Sequence, residues 1–171
     1  MPTYALGDRT PTIHPDAFVH PDAVVIGDVR IGANSSIWPS AVLRGDYGTV
    51  IVGERTSIQD GAIVHAVADF PTVIGSDCVV GHLAHLEGCV IEDRALVGSG
   101  SIVLHHATVH SGATVGAGAV VRNRMDVPAN ALAVGVPATI KLDASSEELI
   151  MVSAALYVEN AARYKKELRE L

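Results

Sequence analysis

The segment Ile91-Glu92-Asp93-Arg94-Ala95-Leu96-Val97-Gly98-Ser99-Gly100-Ser101-Ile102-Val103-Leu104-His105-His106-Ala107-Thr108-Val109 contains the rule by which most of the chain is built. An aliphatic residue falls every six positions (Ile91, Val97, Val103, Val109), and the residue four places after each of the first three is small (Ala95, Ser101, Ala107). Toward the C-terminus the series continues through Val115 and Val121. Toward the N-terminus, after one five-residue step, it passes through Leu86, Val80 and Ile74, then Val64, Ile58 and Val52, then Leu43 and back in sixes to Ile13. Two insertions separate these groups, the first near positions 46–51 and expected to loop out.

One large apolar and one small inward residue per hexad, with turn-tolerant Gly, Asn or Asp between, describes short parallel strands joined by tight turns. Three hexads make one triangular coil. The composition fits narrow repetitive layers: of 171 residues 49% are hydrophobic but only 4% aromatic, so the interior is filled by Val, Ile, Leu and Ala. That length suits one domain with a terminal appendage. The pattern resembles the hexapeptide-repeat family over about Ile13 to Ile140. The resemblance implies an all-β fold, a left-handed parallel β-helix, here over residues 1–140.

The hexads stop after Gly135-Val136-Pro137-Ala138. Ser145-Ser146-Glu147-Glu148 then offers a capping box, with Ser145 as the cap. Tyr157, Ala161, Tyr164, Leu168 and Leu171 form an apolar stripe at helical spacing. Residues 141–171 are therefore expected to form a C-terminal α-helix lying along the β-helix or a neighbouring subunit, with Arg163, Lys165, Lys166 and Arg169 on its solvated side.

A formal charge of −7 with no Lys/Arg cluster outside that helix argues against a nucleic-acid partner. No stretch approaches the ~18 apolar residues of a membrane span. No signal peptide is evident at the start of the sequence, and a cytoplasmic setting is expected. Cys78 and Cys89 lie within the repeat and read as small buried hydrophobes.

Stacking follows from phase. Leu43, Val64 and Leu86 should lie one above another, so the residues after them, Arg44, His65 and Glu87, form an outward column, because side chains alternate along a strand. His85 points outward on the same face. With these residues, the string Arg44-Gly45-Asp46, Ser57-Ile58-Gln59-Asp60, His65, and Gly81-His82 followed by Leu86, Gly88 and Cys89 resembles the γ-class carbonic anhydrases.

That resemblance implies a homotrimer with a zinc site at each subunit interface, two ligands from one subunit and one from its neighbour. His65 matches the first ligand and His82 the one given by the neighbour. The third falls at position 87, which is Glu here. His85 is the favoured replacement, with Glu87 beside the metal as a proton-accepting group; Glu87 as the ligand itself is the alternative. Iron or cobalt would also suit such donors. The resemblance further implies reversible hydration of carbon dioxide to bicarbonate. Gln59 would orient the attacking hydroxide, Arg44 and Asp46 would pair at the interface, Asp60 would brace them, and Tyr157 would reach in from the helix. The segment from Ala66 to Thr72 offers only Asp69 for proton transfer, so weak activity is expected. The remaining histidines (His14, His20, His105, His106, His110) read as surface or turn residues. Competing readings are a hexapeptide-repeat acyltransferase or coenzyme A thioesterase, and a catalytically weak trimeric scaffold.

Overall fold

The computed structural model describes residues 3–171. Through Lys141 the chain winds as a parallel β-solenoid of about seven turns, and a single helix, Glu147–Glu167, follows. Each full turn lays one short strand on each of three faces. The first face stacks the N-terminal halves of two long strands, Val24–Ile31 and Val42–Val52, with Ile63–His65, His85–Glu87, Ile102–Val103 and Val120–Val121. The second stacks the C-terminal halves of the same long strands with Thr72–Ile74, Val90–Ile91, Thr108–Val109 and Asp126–Val127. The third runs from Phe18–Val19 to Leu132–Val134 and is closed by the antiparallel strand Thr139–Lys141.

From Val25 onward the six-residue series is the core: Val25, Ile37, Leu43, Ile58, Val64, Leu86 and the later members are completely buried. It runs one step beyond Val121, to Val127. The small positions are buried too, and the polar ones among them are satisfied at the corners. Ser35 Oγ donates to the Gly53 carbonyl at 2.6 Å and Thr56 Oγ1 to the Gly75 carbonyl at 2.7 Å, so neither hydroxyl is buried unpaired. Both cysteines are free and buried, and burial pushes their thiols up to about 12. They are packing atoms at neutral pH.

The first insertion does not leave the sheet as a loop. Val42–Val52 is one continuous strand, in which three more residues lie between Gly45 and Val50 than between Gly27 and Val29 of the coil below. A bulge at the corner between the first two faces absorbs the excess and leaves the stack on either side in register.

The corners also differ from expectation. Asn34, Asp77 and Gly100 adopt the left-handed conformation expected of turn-tolerant residues, but so do Arg55, Leu83, Arg94 and His106. Backbone hydrogen bonds from coil to coil hold these corners: Arg55 N to Ala33 O, Asp77 N to Glu54 O and Arg94 N to Ser76 O, each 2.9 Å. The stack over-determines the conformation, so a side chain that disfavours it is still held there.

The helix begins one residue later than the capping box suggests. Ser146 is the N-cap and accepts from the Leu149 amide, whereas the Ser145 hydroxyl is shared with Thr114 Oγ1 at 2.7 Å, tying that residue to the solenoid. The helix lies on the third face through Phe18, Trp38 and Ala161, flanked by Tyr157 and Tyr164. Trp38 meets Tyr164 edge-on at 5.0 Å and Tyr157 at 5.8 Å. Leu168 and Leu171 fall beyond the last helical turn and are exposed, so the apolar stripe ends at Tyr164.

His110 is not a free surface residue. Its ring lies between Glu92, 3.1 Å from Nδ1, and Asp126, 2.8 Å from Nε2, and Ser111 fixes Glu92 through its amide at 3.0 Å. The Asp126 hydrogen bond, opposed by partial burial and supported by Glu92, raises the His110 pKa. Its contribution to stability is complete below the unfolded value of about 6.5 and is lost as pH rises through the higher folded value. The melting-temperature deficit of His110→Asn relative to wild type is thus expected to be largest near pH 5.5 and to shrink at higher pH; a constant deficit would contradict this account. For the core, Leu86→Ala should cost about 2–5 kcal/mol in chemical denaturation.

Candidate functional site

Parallel pairing without a register shift produces the outward column: Arg44 lies opposite His65, and His65 opposite Glu87. The side chains then close on one another. His65 Nδ1 is 2.8 Å from Glu87 Oε1, and His65 Nε2 is 3.0 Å from Asp46 Oδ1. Arg44 Nη1 donates to the other Asp46 oxygen. Burial alone would raise the Asp46 carboxyl, but hydrogen bonds from Arg44 and then His65 outweigh it and hold the group below the usual carboxylate range. Glu87 is held low chiefly by the His65 hydrogen bond, against burial, with further help from His85 and the charge of His105.

His85 does not reach His65. Its Nε2 lies 3.3 Å from the second oxygen of Glu87, so the histidine two positions away supports the carboxylate instead of replacing it beside His65. The reason is the strand itself: His85 pairs with Ile63, two positions before His65, and only Glu87 is directly opposite His65.

A second group sits across the first face. His82 occupies the turn that leads from the third face to the first, and its Nδ1 is 2.9 Å from Asp60 Oδ2. Gln59, almost fully buried, neighbours Tyr157 of the helix. Burial, and then the nearby charge of Asp60, raise the Tyr157 pKa. At about 3.3 Å per residue, the five positions from His82 to Glu87 span up to roughly 16 Å. Accordingly, among the described residues of one chain no three His, Cys, Asp or Glu side chains are grouped so as to hold a metal ion. The nine residues singled out in the sequence therefore form two clusters: Arg44, Asp46, His65, His85 and Glu87 at one edge of the face, and Gln59, Asp60, His82 and Tyr157 at the other.

Two contributors escape the sequence reading. Thr72 is fully buried; its hydroxyl donates to the His65 carbonyl and accepts from the Gly88 amide at 2.8 Å, tying the coil that bears His65 to the one that bears Glu87. His105, one coil further on, brings Nε2 to 3.5 Å from Glu87 Oε2. Neither stands out by hexad phase, because each acts through a corner and not through the column.

Known proteins bear on this arrangement. The repeat described as bacterial transferase hexapeptide (six repeats) matches residues 10–45 and 88–123. Carnitine operon protein CaiE of Escherichia coli is 42% identical over 149 residues, covering 87% of this chain and 76% of the relative. Gamma carbonic anhydrase 1, mitochondrial, of Arabidopsis thaliana is 41% identical over 152 residues, 85% of this chain. This chain belongs to the γ-class carbonic anhydrase-like family of hexapeptide-repeat proteins. Its solenoid is the left-handed parallel β-helix of that family. The match spans 55% of the length of the Arabidopsis family member. A solved structure, a hexapeptide transferase family protein from Anaplasma phagocytophilum, superposes with a TM-score of 0.91 at 35% identity, covering 95% of this chain and 98% of that one.

Thr72→Val keeps the shape and removes both hydrogen bonds of the hydroxyl. It is expected to destabilise the protein by about 1–3 kcal/mol, read by chemical denaturation, since two buried hydrogen bonds are lost and the Gly88 amide keeps only its longer bond of 3.3 Å to the His65 carbonyl.

Proposed function

We propose that copies of this chain assemble, as a homotrimer, so that His82 of one copy meets His65 and Glu87 of the next, and that a divalent metal held by these three supports reversible hydration of carbon dioxide to bicarbonate. One observation supports this above the others: each half-site in the chain presents an imidazole whose far nitrogen is held by a carboxylate, Asp46 for His65 and Asp60 for His82. A carboxylate behind a histidine sets the tautomer and orientation of a metal ligand. The donors fit zinc, which accepts two imidazoles and a carboxylate and keeps a position open; iron and cobalt suit the same set. Zinc there would supply a water nucleophile at neutral pH, because it brings the pKa of such a water to about 7.

The chain's own residues provide the rest. Glu87 is the third ligand in this reading, being the group that faces His65. Arg44 neutralises Asp46, so that Asp46 can hold His65 without adding an uncompensated charge. The Gln59 amide, able to donate and accept, orients the attacking oxygen, with Tyr157 steadying it from the helix. Asp60 keeps His82 turned toward the neighbouring copy. Because both Glu87 oxygens already face histidines, that carboxylate is poorly placed to carry protons away, and turnover is expected to be slow.

The transferase name of the matching repeat supports an acyl-transfer alternative, which needs a histidine base. Of the histidines outside the two clusters, His105 faces Glu87, His106 packs against Phe70 at 4.5 Å and His110 lies between two carboxylates. His14 and His20 are engaged only at Nδ1, by the Asp16 and Asp22 amides at 3.1 Å each, far along the chain from the two clusters. The two carboxylate-backed imidazoles are the more specific feature, so hydration is the better-supported reading.

Mixing tests it. The His65→Ala and His82→Ala variants should each lose bound metal and hydration activity. Unfolded and refolded together, they should regain part of both, because some interfaces then combine the intact His82 of one chain with the intact His65 of the other. Recovery of neither would count against a shared site. In metal analysis of single variants, loss with Glu87→Ala and retention with His85→Ala is expected; the reverse would make His85 the ligand.

A further inference from the structure

Glu87 has two oxygens, and the proposed half-site uses one of them. Oε1 faces His65, whereas Oε2 lies 3.3 Å from His85 Nε2 and 3.5 Å from His105 Nε2. His105 reaches this point from the corner of the next coil, where both sides of its backbone are pinned. Its carbonyl accepts from the Arg124 amide at 2.9 Å, and the following amide, of His106, donates to Gly88 O at 2.6 Å. The ring packs over Gly88, which has φ +56°; a Cβ there would come within 3.2 Å of His105 Cδ2. A side chain at position 88 would crowd this imidazole and, at 3.1 Å, Val67 Cγ2.

His105 Nε2 is also buried with no hydrogen-bond partner among the described residues. Glu87 Oε2 is the acceptor it faces, a few tenths of an ångström beyond hydrogen-bond range. A buried ring nitrogen left unpaired is costly, so a small closure of this pair is the move that satisfies it.

We propose that His105, acting with His85, is a positioning residue that holds the second oxygen of Glu87 and so presents the first beside His65 as a single metal-ligating oxygen. The inference rests on the metal-binding reading above. Its logic is specific to a carboxylate at position 87. An imidazole ligand offers one nitrogen on a rigid ring, whereas a carboxylate turns about its last torsion and can offer either oxygen or both. Two histidines on one oxygen remove that freedom from the Oε2 side.

The test is cobalt titration of the metal-stripped full-length protein, followed by visible absorption, with circular dichroism and melting curves confirming that each variant is folded. His105→Ala is expected to weaken cobalt binding by about 10–100-fold and to alter the absorption bands of the bound ion. His105→Gln, whose amide can donate to the same oxygen, should recover most of the loss. In the Glu87→His background, the further change His105→Ala should shift affinity by less than about twofold, because there is no carboxylate to hold. Equal weakening in both backgrounds would make His105 a structural residue only, and an unchanged His105→Ala titration would also overturn the proposal. Assembled wild type that takes up no cobalt would instead refute the metal-binding reading, and this inference with it, before any variant is compared.

Discussion

Everything in this molecule depends on the parallel backbone hydrogen bonds that set each coil directly above the last. They turn a sequence interval into a vertical distance: residues about one coil apart become neighbours, with His65 above Arg44 and Glu87 above His65. The apolar hexad positions supply the favourable energy, since a column of fully buried Val, Ile and Leu is removed from water. The ladder supplies direction, because parallel strands with an unbroken register leave each side chain one face to occupy. The same ladder holds Leu83, Arg94 and His106 in a corner conformation they would not choose alone.

The candidate site is built from charge that is almost fully paired. Arg44 answers Asp46, Asp46 and Glu87 divide the two nitrogens of His65, and His85 and His105 stand at the remaining oxygen of Glu87. Partly buried carboxylates persist in ionised form only with such partners. The second cluster, His82 with Asp60 and Tyr157 with Gln59, has the same economy at the opposite edge of the face.

The fold was legible because its signal is periodic. A six-residue repeat held across most of the chain specifies short strands and tight corners, and phase alone puts Arg44, His65 and Glu87 in one column. What phase could not show lies at the corners and the ends. The excess residues after Gly45 became a bulge within a strand, because the pairing on both sides of them was strong enough to keep the strand continuous. Ser145 lost the helix cap to Ser146 because Thr114 engages its hydroxyl. The partners of His105 and His110 were not legible, although His105 does lie in a turn, because those carboxylates are 18 and 16 or more positions away along the chain, a separation that matters only once coils are stacked.

The sequence by itself determined the β-helix, its core, the C-terminal helix and the residue types available for chemistry, since these follow from local periodicity and composition. Only the tertiary structure decided which of His85 and Glu87 stands beside His65, and that His82 stands apart with Asp60. Both outcomes depend on the position of a side chain across a face and on which coil lies above it. Such relations are distances in space, fixed by strand register and corner geometry, and spacing along the chain does not state them.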